Sequence, residues 1–149
     1  MTKMVVFDMD GTIANLYGVE NWLEYIHNED PYPYKVAECL YDPVELLTVV
    51  NELKANGWKI AITSWLAKGG SKEYNAKVRQ AKIEWLSIFP YDEIHIVKYG
   101  TTKANCTRGK ADFQILVDDN EMVRNSWNLG GTIDANKNIL KELRKLLDF

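Results

Sequence analysis

Short apolar segments of strand length alternate along this chain with longer amphipathic segments, and this alternation limits the possible folds more than any other feature. The predicted strands, rich in β-branched and other apolar side chains, are residues 4–7, 59–63, 94–97 and 113–117, with a shorter one near 132–133. The segments between them carry apolar residues at helical spacing. Such alternation produces a parallel sheet that is covered on both faces. We therefore predict an α/β fold, a Rossmann-like three-layer sandwich with a central parallel sheet of about five strands.

One segment interrupts the alternation. Residues 14–41 follow the first strand, are rich in aromatic and acidic side chains, and contain Pro31 and Pro33. This stretch is predicted to be a small cap insertion with a short helix at about 20–27. Because 149 residues suit one hydrophobic core, we expect a single domain over residues 1–149 that includes the cap.

Composition and charge argue against several classes of protein. The formal net charge of −3 gives no basis for general binding to nucleic acid or to anionic membranes. Cys39 and Cys106 are isolated and lack CxxC spacing, which argues against a zinc site and a disulfide framework. No segment approaches the roughly 20 apolar residues that a membrane span requires. We expect a reduced, cytoplasmic protein with no membrane partner.

Acids, hydroxyls and a lysine are concentrated where the predicted strands end. In an open parallel sheet, ligands bind beyond the carboxyl ends of the strands. Carboxylates that are desolvated together repel each other unless a cation compensates them, and Mg²⁺ prefers oxygen ligands. Hydroxyl groups and an ammonium group suit phosphate oxygens. The residues at these ends are Asp8, Asp10, Thr63, Ser64, Lys103, Asp118 and Asp119. The pattern predicts a site for Mg²⁺ and a phosphate group.

Three motifs occur in a definite order: FDMDGT near the amino terminus, IAITS at the end of the second predicted strand, and ILVDD at the end of the fourth. With a lysine between the last two, this set resembles the haloacid dehalogenase superfamily of phosphatases, over residues 5–119. Within that superfamily the chain looks most similar to small nucleotidase-like and phage-type members. The resemblance implies a Mg²⁺-dependent phosphomonoester hydrolase that acts through an aspartyl-phosphate intermediate.

The resemblance also implies roles for the acids. Asp8 would be the nucleophile that attacks phosphorus. Asp10 would protonate the leaving oxygen and then activate water as a general base. Mg²⁺ would be held by Asp8, by the backbone carbonyl of Asp10 and by one acid of the Asp118–Asp119 pair.

The phosphate ligands implied by the resemblance are two hydroxyl residues and a lysine. Thr63, together with Ser64, would donate hydrogen bonds to the transferring phosphoryl group. Lys103 follows the third predicted strand at the position where the family keeps its lysine, and Lys98 is the reserve candidate. Lys110 is expected at the opposite edge of the sheet.

Three features allow both a structural and a functional interpretation. Tyr17, Trp22 and Tyr25 either cover the site and stack on a ring of the substrate, or pack the insertion onto the sheet. Trp65, directly after the second motif, either lines the pocket or lies in the core. A group of basic residues forms either a solvated helix face or a surface that attracts an anionic nucleotide or nucleic-acid end. This group is Lys68, Lys72, Lys77, Arg79 and Lys82.

The expected partner is a small phosphorylated substrate. A nucleotide is the first candidate because of the aromatic content, a phosphorylated nucleic-acid end is the second and a sugar phosphate is the third. A different class of function is a regulatory module that keeps the fold and the Mg²⁺ and phosphate site without turnover. Asp10 argues against this module, because binding alone needs no acid–base residue.

Overall fold

A computed structural model describes all residues from Met1 to Phe149. The strands are β1 (Lys3–Phe7), β2 (Trp58–Trp65), β3 (Glu93–Val97), β4 (Phe113–Asp118) and β5 (Thr132–Asp134). They form a five-stranded sheet in the order β3-β2-β1-β4-β5. Each neighbouring pair is parallel. The predicted α/β fold with a central parallel sheet is confirmed.

Helices connect the strands and flank the sheet. The α-helices are α1 (Trp22–His27), α2 (Tyr32–Val36), α3 (Pro43–Ala55), α4 (Lys72–Trp85), α5 (Ala104–Thr107), α6 (Glu121–Ser126) and α7 (Ile139–Lys145). Short 3-10 helices cover Leu16–Gly18 and Leu146–Asp148. The long helices begin at capping side chains: Asp42 accepts a hydrogen bond from the Glu45 N–H, and Ser71 accepts one from the Tyr74 N–H. None of the helices is both long and apolar enough to cross a membrane.

Both faces of the sheet are covered, because successive residues of a strand point to opposite sides. Val5 and Phe7 of β1 pack in a cluster to which α3 and α7 contribute. Met4 and Val6 pack in a different cluster, to which α5 and α6 contribute. All four side chains are fully buried. The result is the expected arrangement of helices, sheet and helices in three layers.

The register of the central strands brings the first and last motifs side by side. Phe7 at the end of β1 is paired with Ile62 of β2 and with Val117 of β4. The next N–H along the chain, that of Asp8, donates to the Val117 carbonyl at 2.9 Å, so the ladder continues by one residue. The residues that follow these three partners are Asp8, Thr63 and Asp118. They form one row across the carboxyl end of the sheet.

The two ends of the segment 14–41 lie next to each other. Ala14 and Cys39 form an antiparallel bridge, which closes the segment at its base. The Trp85 indole N–H of α4 donates to the Ala37 carbonyl at 2.7 Å and attaches the segment to the core. Residues of α1 and α2 line the same cavity as Asp8 and Asp118, so these helices lie beside the carboxyl end of the sheet, where the sequence predicts the site.

Candidate active site

Three carboxylates converge at the end of the sheet. Oxygens of Asp8, Asp118 and Asp119 lie within 4.8 Å of one another, and Asp8 and Asp118 are buried. Burial, reinforced by the charge of Asp8, raises the pKa of Asp119 to about 8 and also raises the pKa of Asp118. The cluster combines three acids with one ammonium group, that of Lys103, so burial and mutual repulsion of the acids prevail and the pKa values rise. It is therefore a natural place for a cation.

Lys103 lies inside this cluster. Its Nζ donates to Asp8 Oδ1 and to Asp118 Oδ2, each at 2.8 Å. Burial by itself would lower the pKa of Lys103, but the two carboxylates outweigh burial and raise the pKa. An ammonium group has three donors, so one remains for an oxygen of a bound ligand. Lys98 and Lys110 are both exposed, and thus Lys103 is the lysine that the fold brings to the predicted site.

Asp8 is held on both of its oxygens. Oδ1 accepts from Lys103, and Oδ2 accepts from the Thr12 hydroxyl at 2.9 Å. The Thr12 hydroxyl is available because the chain turns tightly after β1, with Gly11 at a φ of 80°. A side chain at Gly11 would also meet Asp119, since its Cβ would lie 2.3 Å from Asp119 Oδ2. The glycine of the first motif therefore lets the two acidic motifs approach each other.

Asp10 stands apart from the carboxylate cluster. Its Oδ2 accepts a hydrogen bond from the Lys82 Nζ at 2.8 Å, and its side chain retains 16% exposure. Burial raises the pKa of the Asp10 carboxyl, and the Lys82 charge acts in the opposite direction. Asp10 thus faces the same cavity as Asp8 but has a cationic partner of its own.

The interpretation of Lys82 as part of a solvated basic surface is wrong. Its side chain is 0% exposed and also donates to Ser64 Oγ and to the Trp65 carbonyl, both at 2.7 Å. The other four basic residues of that set are exposed. The signal that could have identified Lys82 is its spacing, because it follows Tyr74 and Val78 at intervals of four residues on the buried side of α4.

Thr63 and Ser64 lie behind the cavity wall with different surroundings. The Thr63 Oγ1 is buried and has no hydrogen-bond partner in the protein. The Ser64 Oγ accepts a hydrogen bond from Lys82, so this side chain points toward that lysine. Neither residue is part of the cavity lining. Of the two predicted hydroxyl ligands of the phosphate, Thr63 is the one whose hydroxyl lacks a protein partner.

A cavity of about 370 Å³ extends from the acids to the segment 14–41. Its wall is rich in aromatic rings, which are Tyr17, Trp22, Tyr34, Trp65 and Tyr99. The Tyr17 and Trp22 rings meet edge to face with centroids 4.9 Å apart, and the Trp65 and Tyr99 centroids are 4.8 Å apart. Tyr25 packs against Tyr32 instead. Tyr17 and Trp22 therefore lie over the site, whereas Tyr25 packs within the insertion.

The charges of the site fit a divalent cation. Four carboxylates, of Asp8, Asp10, Asp118 and Asp119, surround two ammonium groups, those of Lys82 and Lys103. With all four carboxylates ionised, as metal ligands are, four negative charges and two positive charges leave two negative charges. The oxygen donors of the cluster are those that Mg²⁺ prefers. We conclude that these side chains can accommodate Mg²⁺ next to Asp8.

The fold matches that of a structure already solved. The D,D-heptose 1,7-bisphosphate phosphatase from Burkholderia thailandensis superimposes on this chain with a TM-score of 0.51 at 16% sequence identity. The match covers 84% of this chain and 71% of that chain. The two proteins share a fold. No family model matches the sequence, and neither does any curated protein.

Proposed function

We propose that this chain is a Mg²⁺-dependent phosphomonoester hydrolase of the haloacid dehalogenase superfamily that acts through an aspartyl-phosphate on Asp8. The observation that carries the proposal is the placement of the two motif acids. Asp8 belongs to the carboxylate cluster and is held by Lys103 and Thr12, while Asp10 faces the same cavity with a separate partner. The fold shared with a D,D-heptose 1,7-bisphosphate phosphatase supports it.

In the first step an Asp8 oxygen attacks phosphorus, and the bond from phosphorus to the leaving oxygen breaks. Asp10 gives its proton to that oxygen. In the second step a water attacks the phosphorus of the aspartyl-phosphate while Asp10 takes a proton from the water, which frees Asp8 and inorganic phosphate. The fixed Asp8 carboxylate limits the reorientation that the first step requires.

The chain's own groups are suited to the charge of a phosphate. Lys103 has one donor left after its two carboxylate bonds, and Thr63 has a buried hydroxyl without a partner. When bound by Asp8, the Asp10 carbonyl and an acid of the Asp118–Asp119 pair, Mg²⁺ would supply the charge neutralisation that lets a carboxylate approach an anionic phosphate.

We propose a nucleotide as the first candidate substrate. The cavity of about 370 Å³ falls in the size range of small-molecule sites. Its wall brings aromatic rings from the insertion and from the sheet together, and such rings stack on a planar base. Lys68 at the cavity lies 5.7 Å from the centroid of the Tyr99 ring, where its charge is available to an anion.

The test is phosphate release from a panel of nucleotides, phosphorylated oligonucleotide ends, sugar phosphates and an aryl phosphate, with Mg²⁺ and with EDTA. We expect Mg²⁺-dependent turnover that Asp8→Asn abolishes and that Asp10→Asn lowers by about 10²- to 10⁴-fold. Asp148→Asn, an exposed acid near the carboxyl terminus, is the control and should leave turnover unchanged.

Two outcomes would contradict the proposal. Retained activity in Asp8→Asn would remove Asp8 as the nucleophile. Absence of turnover for every substrate, together with Mg²⁺ binding by calorimetry, would instead identify a binding module of the same fold. The preferred substrate in the panel would distinguish a nucleotidase from a nucleic-acid end phosphatase or a sugar phosphatase.

A further inference from the structure

The ammonium group of Lys82 lies beneath the cavity, and all of its donors are hydrogen-bonded. Its three donors meet three acceptors, at 2.7 to 2.8 Å: Asp10 Oδ2, Ser64 Oγ and the Trp65 carbonyl. The ammonium also lies 5.2 Å from the centroid of the Tyr34 ring. Every direction in which Lys82 can bond is therefore occupied by the protein itself.

The two buried lysines of the site consequently differ in what they can contact. Lys103 lines the cavity and keeps one donor free for a phosphate oxygen. Lys82 has no free donor and is absent from the cavity lining. Two of its partners, Asp10 and Trp65, face the cavity. Trp65 offers Lys82 only a backbone carbonyl, whereas Asp10 offers a carboxyl group that can carry a proton, so an effect of Lys82 on proton transfer must pass through Asp10.

The buried charge of Lys82 requires an explanation. Position 82 lies on the buried side of α4, where an apolar residue would pack without desolvating a charge. Buried ion pairs often contribute little net stability compared with apolar side chains of similar volume. The ammonium group is thus better explained by what it does to its partner than by stabilisation of the helix.

The Asp10 carboxyl group has to be oriented before it can act as an acid and a base. Asp10 lies in the turn after β1, next to Gly11, and the bond from Lys82 is the hydrogen bond that the structure gives its carboxylate. With Oδ2 held by Lys82, Oδ1 is the oxygen left to meet the substrate. A displacement of about 1 Å at such a group is enough to lower a rate by about 10²-fold.

We propose that Lys82 is a positioning residue for the acid–base group: it holds the Asp10 carboxyl toward the leaving oxygen and makes no contact with phosphate. This inference rests on the proposed function. It adds a residue of α4 to a site whose other members come from the ends of strands and the loops after them.

The first experiment compares kcat/KM for phenyl phosphate and p-nitrophenyl phosphate, which differ in how much the leaving oxygen needs a proton. For Lys82→Met we expect a loss of about 10²-fold with phenyl phosphate and of less than about threefold with p-nitrophenyl phosphate. Lys77→Met, an exposed lysine of the same helix, is the matched control and should change neither value. An equal loss on both substrates would overturn the proposal, because a general structural defect does not distinguish leaving groups.

The second experiment removes Asp10 first. If Lys82 acts through Asp10, then Asp10→Asn/Lys82→Met should have the kcat/KM of Asp10→Asn within about twofold. This double variant has no unpaired buried charge, so it remains informative even where Lys82→Met alone does not fold. A further large loss in the double variant, or failure of the double variant to fold, would assign Lys82 to structure and overturn the proposal.

The same measurements separate the two proposals. Absence of turnover in the wild-type protein would remove the phosphatase function and this inference with it. Turnover in the wild-type protein, combined with losses that add in the double variant, would remove only the role of Lys82.

Discussion

Thr63 and Ser64 are adjacent hydroxyl residues with opposite hydrogen bonding. Thr63 Oγ1 is buried without a partner, whereas Ser64 Oγ accepts one of the three bonds of Lys82. A buried hydroxyl without a partner lowers stability by its desolvation, while removal of a used acceptor leaves a donor unsatisfied. At the scale of the residue, the two side chains should therefore respond in opposite ways to deletion of the hydroxyl.

We expect Thr63→Val to leave the free energy of unfolding unchanged or higher, and to raise KM for a phosphomonoester by about tenfold. Ser64→Ala should lower the free energy of unfolding by about 1–3 kcal/mol, because it leaves a buried proton of Lys82 without an acceptor. Denaturant unfolding and steady-state kinetics measure both effects. Equal destabilisation by the two substitutions would show that Thr63 has a partner within the protein.

At the scale of the element, the turn after β1 is the place where the first and last motifs approach each other. Gly11 and Gly109 have nearly the same backbone conformation, with φ values of 80° and 81°. Their surroundings differ, because a Cβ at Gly11 would lie 2.3 Å from Asp119 Oδ2, whereas a Cβ at Gly109 would meet no atom within 4 Å. The pair separates the strain of a positive φ from the effect of displacing Asp119.

We expect Gly109→Ala to lower the free energy of unfolding by about 1–2 kcal/mol, through the positive φ alone. Gly11→Ala should be more destabilising and should also weaken Mg²⁺ binding, because Asp119 has to move. Thermal unfolding and calorimetric Mg²⁺ titration test the pair. Unchanged Mg²⁺ affinity in folded Gly11→Ala would contradict a role for the Asp119 position in the metal site.

The insertion supplies one wall of the cavity, and its aromatic residues divide into two groups. Trp22 lines the cavity, whereas Tyr25 packs against Tyr32 with ring centroids 5.0 Å apart. Both residues belong to α1, so they form a matched pair within one short helix.

We expect Trp22→Ala to raise KM for a nucleotide by about tenfold with little change in kcat, because loss of stacking removes about 1–3 kcal/mol. Tyr25→Ala should leave KM unchanged. The comparison of KM for a nucleotide and for a sugar phosphate shows whether the effect depends on a base. A similar change for both substrates would argue against stacking.

At the scale of the whole molecule, the fold brings more negative than positive charge to one end of its sheet. The acids and ammonium groups of the site leave two negative charges, and burial raises the pKa values of Asp118 and Asp119. A ligand that binds the folded state and not the unfolded state stabilises the fold by an amount that grows with the logarithm of its concentration above the dissociation constant. Stability should thus depend on the divalent cation.

We expect Mg²⁺ at about 100 times its dissociation constant to add about 2.7 kcal/mol to the free energy of unfolding, and EDTA to reverse the gain. Asp119→Asn should reduce this response, and NaCl at matched ionic strength should not reproduce it. Differential scanning calorimetry with and without Mg²⁺ provides the measurement. An identical response to NaCl would show screening of charge and not binding.

Most of the fold and several site residues can be predicted from local sequence patterns. The apolar segments at 4–7 and 113–117 predict strands because a short apolar run and its β-branched content are properties of a few consecutive residues. The acids directly after them are predicted to meet because parallel strands end at one edge. These inferences require no knowledge of which distant side chains touch.

The sequence by itself therefore determined the α/β fold and the edge of the sheet at which the motif residues gather. Only the tertiary structure decided which lysine serves which acid: Lys103 reaches Asp8 across 95 residues of chain, and Lys82 reaches Asp10 across 72. Such partners depend on how a helix packs against the end of a sheet, and helical spacing alone shows that position 82 is buried without showing what it meets. The physical reason is that periodicity is local, whereas compensation of a buried charge depends on long-range contacts.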